Sequence, residues 1–287
     1  RDMLIAAERV GGSESLQIAH PKDPGHPAIQ DEARELVSLE ADLRKAIQKQ
    51  DFELYYQPIV SLQDDHIEAY EALIRWKHET RGFVSPGQFI PLAEDTGLIL
   101  PLGKWVLETA FKQAWTWLQA QPENPPRINI NVSAVQIQQG NLKQTISDLY
   151  EKYAIPQGVI RLEITETALM DDIEAHIQTL EHLRNLGAEI QIDDFGTGYS
   201  SLAQLAQLPV DALKIDRSFI ARMEEDPKSA AVVRTIAHLA HSLELQVIAE
   251  GVETASQLAS VESLQCSSVQ GYYFSKPVEA AAARAAG

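Results

Sequence analysis

Two adjacent carboxylates, Asp193 and Asp194, close a strand-like run in IQIDDFGTGYSS (190–201). Side by side they repel each other, so the pair is either an ordinary acidic turn or the wall of a cation site. Other acids and amides recur at the same place in other strand-like runs: Glu71 in YEALIR, Asn131 in RININVS, Glu163 in RLEITE and Glu250 in LQVIAEGV. Any one of these alone reads as a solvated or salt-bridged side chain, the usual fate of a polar residue. Repetition on strand after strand is harder to dismiss, because buried carboxylates and amides are costly unless paired or metal-bound. Oxygen ligands with no Cys or paired His select a hard cation, Mg²⁺ or Mn²⁺. Adjacent Asp193 and Asp194 suit two such ions about 3.5–4 Å apart, bridged by a shared carboxylate. Lys214, in LKID, supplies a compact positive charge that either serves the chemistry or closes an interior salt bridge.

These residues need strands to align them. Eight β-like runs are legible, at 52–60, 66–76, 127–133, 159–166, 188–195, 211–219, 245–252 and 268–274. Helix-like stretches at 101–120, 136–153, 172–186, 229–243 and 254–264 separate most of them. The first two runs are joined by a short turn around QDDH (63–66) and suggest a hairpin. Alternating strands and helices imply a mostly parallel sheet, and eight strands over about 250 residues suggest a TIM-type α/β barrel. A doubly wound sheet is the alternative, weakened by the lack of a glycine-rich phosphate loop after any strand.

Within these runs one face is apolar and the other polar. Ile128, Ile130, Leu162, Ile164, Ile190, Ile192, Leu213 and Ile215 alternate with Asn129, Asn131, Arg161, Glu163, Gln191, Asp193 and Lys214. Period two places each set on one face. The apolar face is expected under the helices and the polar face inside the barrel. Glu71, Asn131, Glu163, Asp193, Asp194 and Glu250 are expected near the C-terminal strand ends, where barrel enzymes hold their active sites.

The net charge of −17 argues against a nucleic-acid duplex as partner. No apolar run has the roughly 18 residues of a spanning helix, and no signal-peptide pattern is present, so no membrane contact is expected of this chain. The single cysteine, Cys266, forms no disulfide framework and points to a cytoplasmic protein. Residues 1–33 read as a linker or the tail of an upstream domain, with 34–287 as the catalytic unit; a chain that starts at Arg1 reads as a piece of a longer protein. His238 and His241 share a helix face but have no third ligand nearby in sequence. Trp105, Trp115 and Trp117 fit helix packing.

With those residues identified, the sequence resembles the EAL family of cyclic di-GMP phosphodiesterases. The naming motif is intact as EALIR (71–75). Around it stand YYQPIV (55–60), FIPLAEDTGLI (89–99), NVSA (131–134), LEITE (162–166), DDFGTGYSSL (193–202), LKIDRSFI (213–220), AEGVET (249–254) and QGYYFSKP (270–277), in family order. The resemblance implies a TIM-like (β/α)₈ barrel whose first strand is antiparallel to the rest. It implies hydrolysis of cyclic di-GMP to linear pGpG with two Mg²⁺ or Mn²⁺ ions. Glu71, Asn131, Glu163 and Asp193 would hold one ion; Asp193, Asp194 and Glu250 would hold the second. Lys214 would orient or activate the attacking water, with Glu71 and Glu250 as the acids of the reaction centre. Gln57, Arg75, Glu253 and Gln270 would contact the ligand, and Glu166 would anchor the 194–202 loop. A homodimer and an upstream sensor or GGDEF domain are also implied. Val135 and Ser267 depart from the family's usual Arg and Asp; neither is an implied metal ligand. Two rivals remain: an inactive member acting as a cyclic di-GMP receptor or docking module, and a two-carboxylate glycosidase, which has no use for Asn131, the double Asp and Lys214 together.

Overall fold

The computed structural model describes residues 27–170, 173–198 and 202–283. Helix α1 (Pro27–Lys49) leads into the hairpin of β1 (Phe52–Ser61) and β2 (Ile67–His78). Then come β3 (Gly82–Val84), α2 (Pro86–Asp95), α3 (Ile99–Ala120), β4 (Arg127–Asn131), α4 (Ala134–Gln139) and α5 (Leu142–Tyr153). The chain continues through β5 (Ile160–Thr165), α6 (Glu166–Met170), α7 (Ile173–Leu186), β6 (Glu189–Phe195), α8 (Leu202–Leu205) and β7 (Ala212–Ile215). It ends with α9 (Arg217–Arg222), α10 (Pro227–Ser242), β8 (Gln246–Glu250), α11 (Ala255–Ser263), β9 (Ser268–Gln270) and β10 (Val278–Glu279).

Eight strands close into a barrel in the order β1-β9-β8-β7-β6-β5-β4-β2, with β1 returning to β2. Neighbours from β2 through β4 to β9 are parallel. Strand β1 is antiparallel to both β2 and β9, with Gln57 opposite Glu71 and Ile59 opposite Gln270. The expected hairpin and antiparallel first strand are therefore present. The short β3 and β10 flank the barrel as antiparallel additions to β2 and β1.

The alternation sorts as expected. Ile128, Ile130, Leu162, Ile164, Ile190, Ile192, Leu213 and Ile215 are fully buried in the main core, together with helix residues such as Leu107, Phe111, Ile146, Leu180 and Val233. Trp117 of α3 packs its ring 5.1 Å from both Tyr56 and Tyr70. Trp105 packs on Phe52 at 5.8 Å, whereas Trp115 is exposed.

The chain separates into two units, Arg1–Leu39 and Glu40–Gly287. The second holds the barrel. Expectations for residues 1–26 lie outside the described residues. Residues 27–31, the end of the proline-rich stretch read as a linker, are helical within α1. No helix among the described residues is long and apolar enough to cross a membrane.

Three expected elements change at their ends, each for a local reason. The 136–153 helix is two helices, because Gly140 is extended (φ −88°, ψ 162°) and ends α4. The 211–219 strand stops at Ile215, because the Asp216 side chain accepts from Ser218 N at 3.0 Å and starts α9. The 268–274 strand stops at Gln270. A Cβ at Gly271 would lie 2.0 Å from the Val252 carbonyl oxygen, so the loop after β9 meshes backbone to backbone with the loop after β8.

Candidate active site

Inside the barrel the polar faces converge on one ammonium group. Lys214 Nζ lies 2.5 Å from Glu250 Oε1, 2.7 Å from Glu163 Oε1, 3.2 Å from Asp193 Oδ1 and 3.8 Å from Glu71 Oε2. Strand β7 is hydrogen-bonded only to β6 and β8. Its contacts with Glu163 on β5 and Glu71 on β2 therefore cross the lumen. Lys214 and Glu163 are buried, and Glu71 and Asp193 nearly so.

Amides clamp Glu71 from two sides. Asn131 Nδ2 donates to Glu71 Oε1 at 2.8 Å, and Gln270 Nε2 donates to Glu71 Oε2 at 2.6 Å. Gln270 Nε2 also donates to Gln57 Oε1 at 3.1 Å, and Gln57 Nε2 to the Ser275 carbonyl at 3.2 Å. Three strands, β2, β4 and β9, are thus tied through one carboxylate, and Gln57 of β1 joins them through Gln270. Glu71 is not at a strand end, contrary to expectation: β2 runs on to His78, pairing with β1 and β3 beyond the barrel's rim. In the barrel it lies level with Asn129 of β4.

Neighbours on a regular strand point to opposite faces, but Asp194 adopts a left-handed conformation (φ 52°), which Asp tolerates better than most residues, and its carboxylate comes near that of Asp193. Asp193, Asp194 and Glu250 offer oxygens all within 4.8 Å of one another. Burial, then Asp193 and Asp216, raises the Asp194 carboxyl to about 6. Burial likewise raises Glu250 to about 8, against the pull of Lys214, with Asp193 and Glu71 adding to the rise. Glu163 is also pushed well up, first by burial. For Lys214, burial works against the charge, but the carboxylates around it hold its pKa well above the ordinary lysine value.

The donor set fits hard divalent cations. Glu71, Glu163, Asp193 and Glu250 face one ammonium and Asp194 stands beside them, so full ionisation leaves four net negative charges, which two divalent ions would balance. Glu163 Oε2 is buried without a hydrogen-bond partner. A cation must displace the protons that burial keeps on Asp194 and Glu250. Mg²⁺ affinity is accordingly expected to rise steeply from pH 5.5 to pH 8, measured by calorimetric titration. A pH-independent affinity would remove these carboxyls from the ligand set.

Glu166 lies under the loop after β6. Its Oε2 accepts from Gly196 N at 2.8 Å and Gly198 N at 3.3 Å, and a Cβ at Gly198 would meet Glu166 Oε1 at 2.9 Å. Arg75 stands beside the acids rather than among them. Its guanidinium lies 5.7 Å over the Tyr55 ring, and Nη1 donates to the Ile74 carbonyl at 2.9 Å. It lines a groove of about 400 Å³ with Ala72, Pro86, Ile90, Glu94 and Asn131. Glu253 is exposed after β8, and its N–H donates to Gln257 Oε1 at 2.8 Å. His241 Nε2 pairs with the Gln265 carbonyl at 3.1 Å, a structural contact.

Sequence reasoning placed Asn129, Arg161 and Gln191 on the polar face without giving them a role. All three are fully buried. Arg161 forms the barrel floor, with Nε on Glu189 at 2.7 Å and Nη1 on Glu68 at 2.9 Å. Their only signal in the sequence is the period-two pattern itself.

A closed barrel with acids and one lysine converging in its lumen is a TIM-like fold whose Asp193, Asp194 and Glu250 could bind a divalent metal. The chain belongs to the EAL-domain family of cyclic di-GMP phosphodiesterases, whose EAL domain model matches residues 40–277. It is 39% identical over 268 residues to the bifunctional diguanylate cyclase/cyclic di-GMP phosphodiesterase MucR of Pseudomonas aeruginosa, covering 91% of this chain and 39% of that protein. It is 42% identical over 250 residues to the cyclic di-GMP phosphodiesterase NbdA of the same organism, covering 87% of this chain and 32% of NbdA. The chain thus matches only about a third to two fifths of these relatives' length. The solved PaMucR phosphodiesterase in complex with c-di-GMP superposes with a TM-score of 0.82 at 40% identity, covering 86% of this chain and 98% of that one.

Proposed function

We propose that this domain hydrolyses cyclic di-GMP to linear pGpG. One water is added and one of the two phosphodiesters of the ring is opened. The observation that carries the reading is the lumenal cluster: Lys214 within 4 Å of four carboxylates, beside the Asp193–Asp194–Glu250 triad. Two Mg²⁺ or Mn²⁺ ions, held by Glu71, Asn131, Glu163, Asp193, Asp194 and Glu250, would lower the pKa of water and polarise the phosphoryl oxygens.

The chain's own side chains do the rest. Lys214 keeps a proton-bearing ammonium at the level of Glu163, Asp193 and Glu250, where it orients the attacking water. Arg75, held over Tyr55, offers a planar fork to a phosphate. The groove beside it, walled by Pro86 and Ile90, accepts a flat purine face. Gln57 and Gln270, buried beside Glu71, would meet the ligand from the barrel wall, and exposed Glu253 would meet its edge. Glu166 holds the 196–198 backbone against the site. A homodimer, a cytoplasmic setting and an upstream sensor or GGDEF domain belong to the same proposal; the fused domain alone has support, from relatives more than twice as long as this chain.

The test is turnover. Purified protein is incubated with cyclic di-GMP, with Mg²⁺ or with chelator, and products are separated by chromatography. A pGpG peak that needs the cation is the expected result. Tight binding of intact ligand without product would assign a receptor; neither binding nor turnover would sink the cyclic di-GMP reading.

A further inference from the structure

The lumen-facing positions one step down each strand from the cluster are divided between apolar and polar side chains. Two residues before each cluster member on the same strand, the side chain again faces the lumen. Behind Glu71, Lys214 and Glu250 those positions are Ala69, Ala212 and Ile248, which with Ile59 form a separate, fully buried apolar group. Behind Asn131, Glu163 and Asp193 they are Asn129, Arg161 and Gln191, also fully buried, and Arg161 is engaged by Glu68 and Glu189. Apolar side chains fill one half of these positions, so filling space does not require amides in the other half. Two buried amides cost free energy that only their bonds can offset.

Those bonds lead to one carboxylate. Asn129 Nδ2 spends one hydrogen on Glu163 Oε1 at 2.8 Å and the other on Gln191 Oε1 at 2.9 Å. Lys214 approaches the same Glu163 oxygen at 2.7 Å. Glu163 Oε2 has no hydrogen-bond partner. The opposite amide orientation would set the Asn129 carbonyl against the Glu163 carboxylate, so the donor orientation is the one the site selects.

We infer that Asn129 and Gln191 are positioning residues: Gln191 orients Asn129, and Asn129 with Lys214 ties down Glu163 Oε1, reserving Oε2 for a divalent cation. Neither amide touches substrate. The inference rests on the proposed role of Glu163 as a cation ligand.

The experiment measures Mn²⁺ binding by the electron paramagnetic resonance signal of free Mn²⁺, alongside steady-state kinetics. Asn129→Leu keeps the volume and removes the donor. It is expected to weaken Mn²⁺ binding by about 10–100-fold and to lower kcat while KM for cyclic di-GMP stays unchanged. Gln191→Leu is expected to show a smaller loss in the same direction. In a Glu163→Gln background, Asn129→Leu is expected to add no further loss, because the two act through one contact. Wild-type Mn²⁺ affinity in Asn129→Leu, or an equal loss in the Glu163→Gln background, would overturn the inference. Should Asn129→Leu fail to fold, Gln191→Leu decides, and unchanged Mn²⁺ binding there overturns it. A wild-type protein that binds no Mn²⁺ overturns the inference together with the proposed function; one that binds and turns over while the variants match it overturns the positioning role alone.

Discussion

Asp193→Asn protein is expected to fold and to hydrolyse cyclic di-GMP about a thousandfold more slowly than wild type. Asp193 sits in the cluster, with Oδ1 3.2 Å from Lys214 and a carboxylate oxygen within 4.8 Å of oxygens of Asp194 and Glu250. Asparagine has the same shape and can still meet Lys214 with its carbonyl, so packing in the lumen is preserved. What is lost is one charge and a carboxylate proposed to serve both cations. Charge stabilisation of a phosphoryl transition state by bound metal amounts to several kcal/mol; about 4 kcal/mol corresponds to three powers of ten in rate. The loss should appear in kcat. Thermal melting in chelator should not fall, because the substitution relieves repulsion among acids that burial already disfavours in their ionised form. The check is turnover at saturating substrate and Mg²⁺, with a melting curve in chelator beside it. Activity within tenfold of wild type would remove Asp193 from the reaction centre.

The sequence shows a good deal of this arrangement because two periodicities are simple. Strand side chains alternate, so Asn129, Asn131, Glu163, Gln191, Asp193 and Lys214 had to share a face once their segments were strands. The short turn at 63–66 foreshadowed the antiparallel β1. What the sequence concealed depends on distance across the barrel. That Gln270 and Asn131 clamp the two oxygens of Glu71 follows from closure between β9, β1 and β2, which no local pattern encodes. The strand ends were hidden for a different reason. Asp216 reads as the continuation of an alternating run, yet its carboxylate caps α9; Gly271 reads as a tolerated strand glycine, yet the Val252 backbone fills the space a side chain would need. Glu71 was placed at a strand end because its motif resembles the others, and only the long β2 hairpin shows it lower in the barrel.

Lys214→Met is the second large effect, and it separates charge balance from catalysis. In the native lumen Lys214 is the ammonium that four carboxylates face. Methionine fills similar volume with no charge. Removing one partner from a buried ionic network costs about 3–5 kcal/mol, and at about 2–4 °C per kcal/mol for a chain of this size the melting temperature in chelator should fall on the order of 10 °C. The pH dependence gives the mechanism. Glu250 is held up at about 8 even with Lys214 present, against an unfolded carboxylate value of about 4.3. Between those values the native state binds more protons than the unfolded chain, so the contribution of this group to stability falls as pH rises through the window. Without the ammonium the carboxylates rise further, so the destabilisation should be small near pH 5 and largest near pH 8. Mg²⁺ should restore much of the lost stability at pH 8, since cation binding to the native state alone adds to its stability, while turnover should stay abolished because the group proposed to orient water is gone. Melting curves at pH 5 and pH 8, with chelator and with Mg²⁺, measure all of this in one series. If Lys214→Met melts like wild type in chelator at pH 8, the carboxylates are already protonated around it, and the negative charge proposed to draw two cations into the barrel is not there.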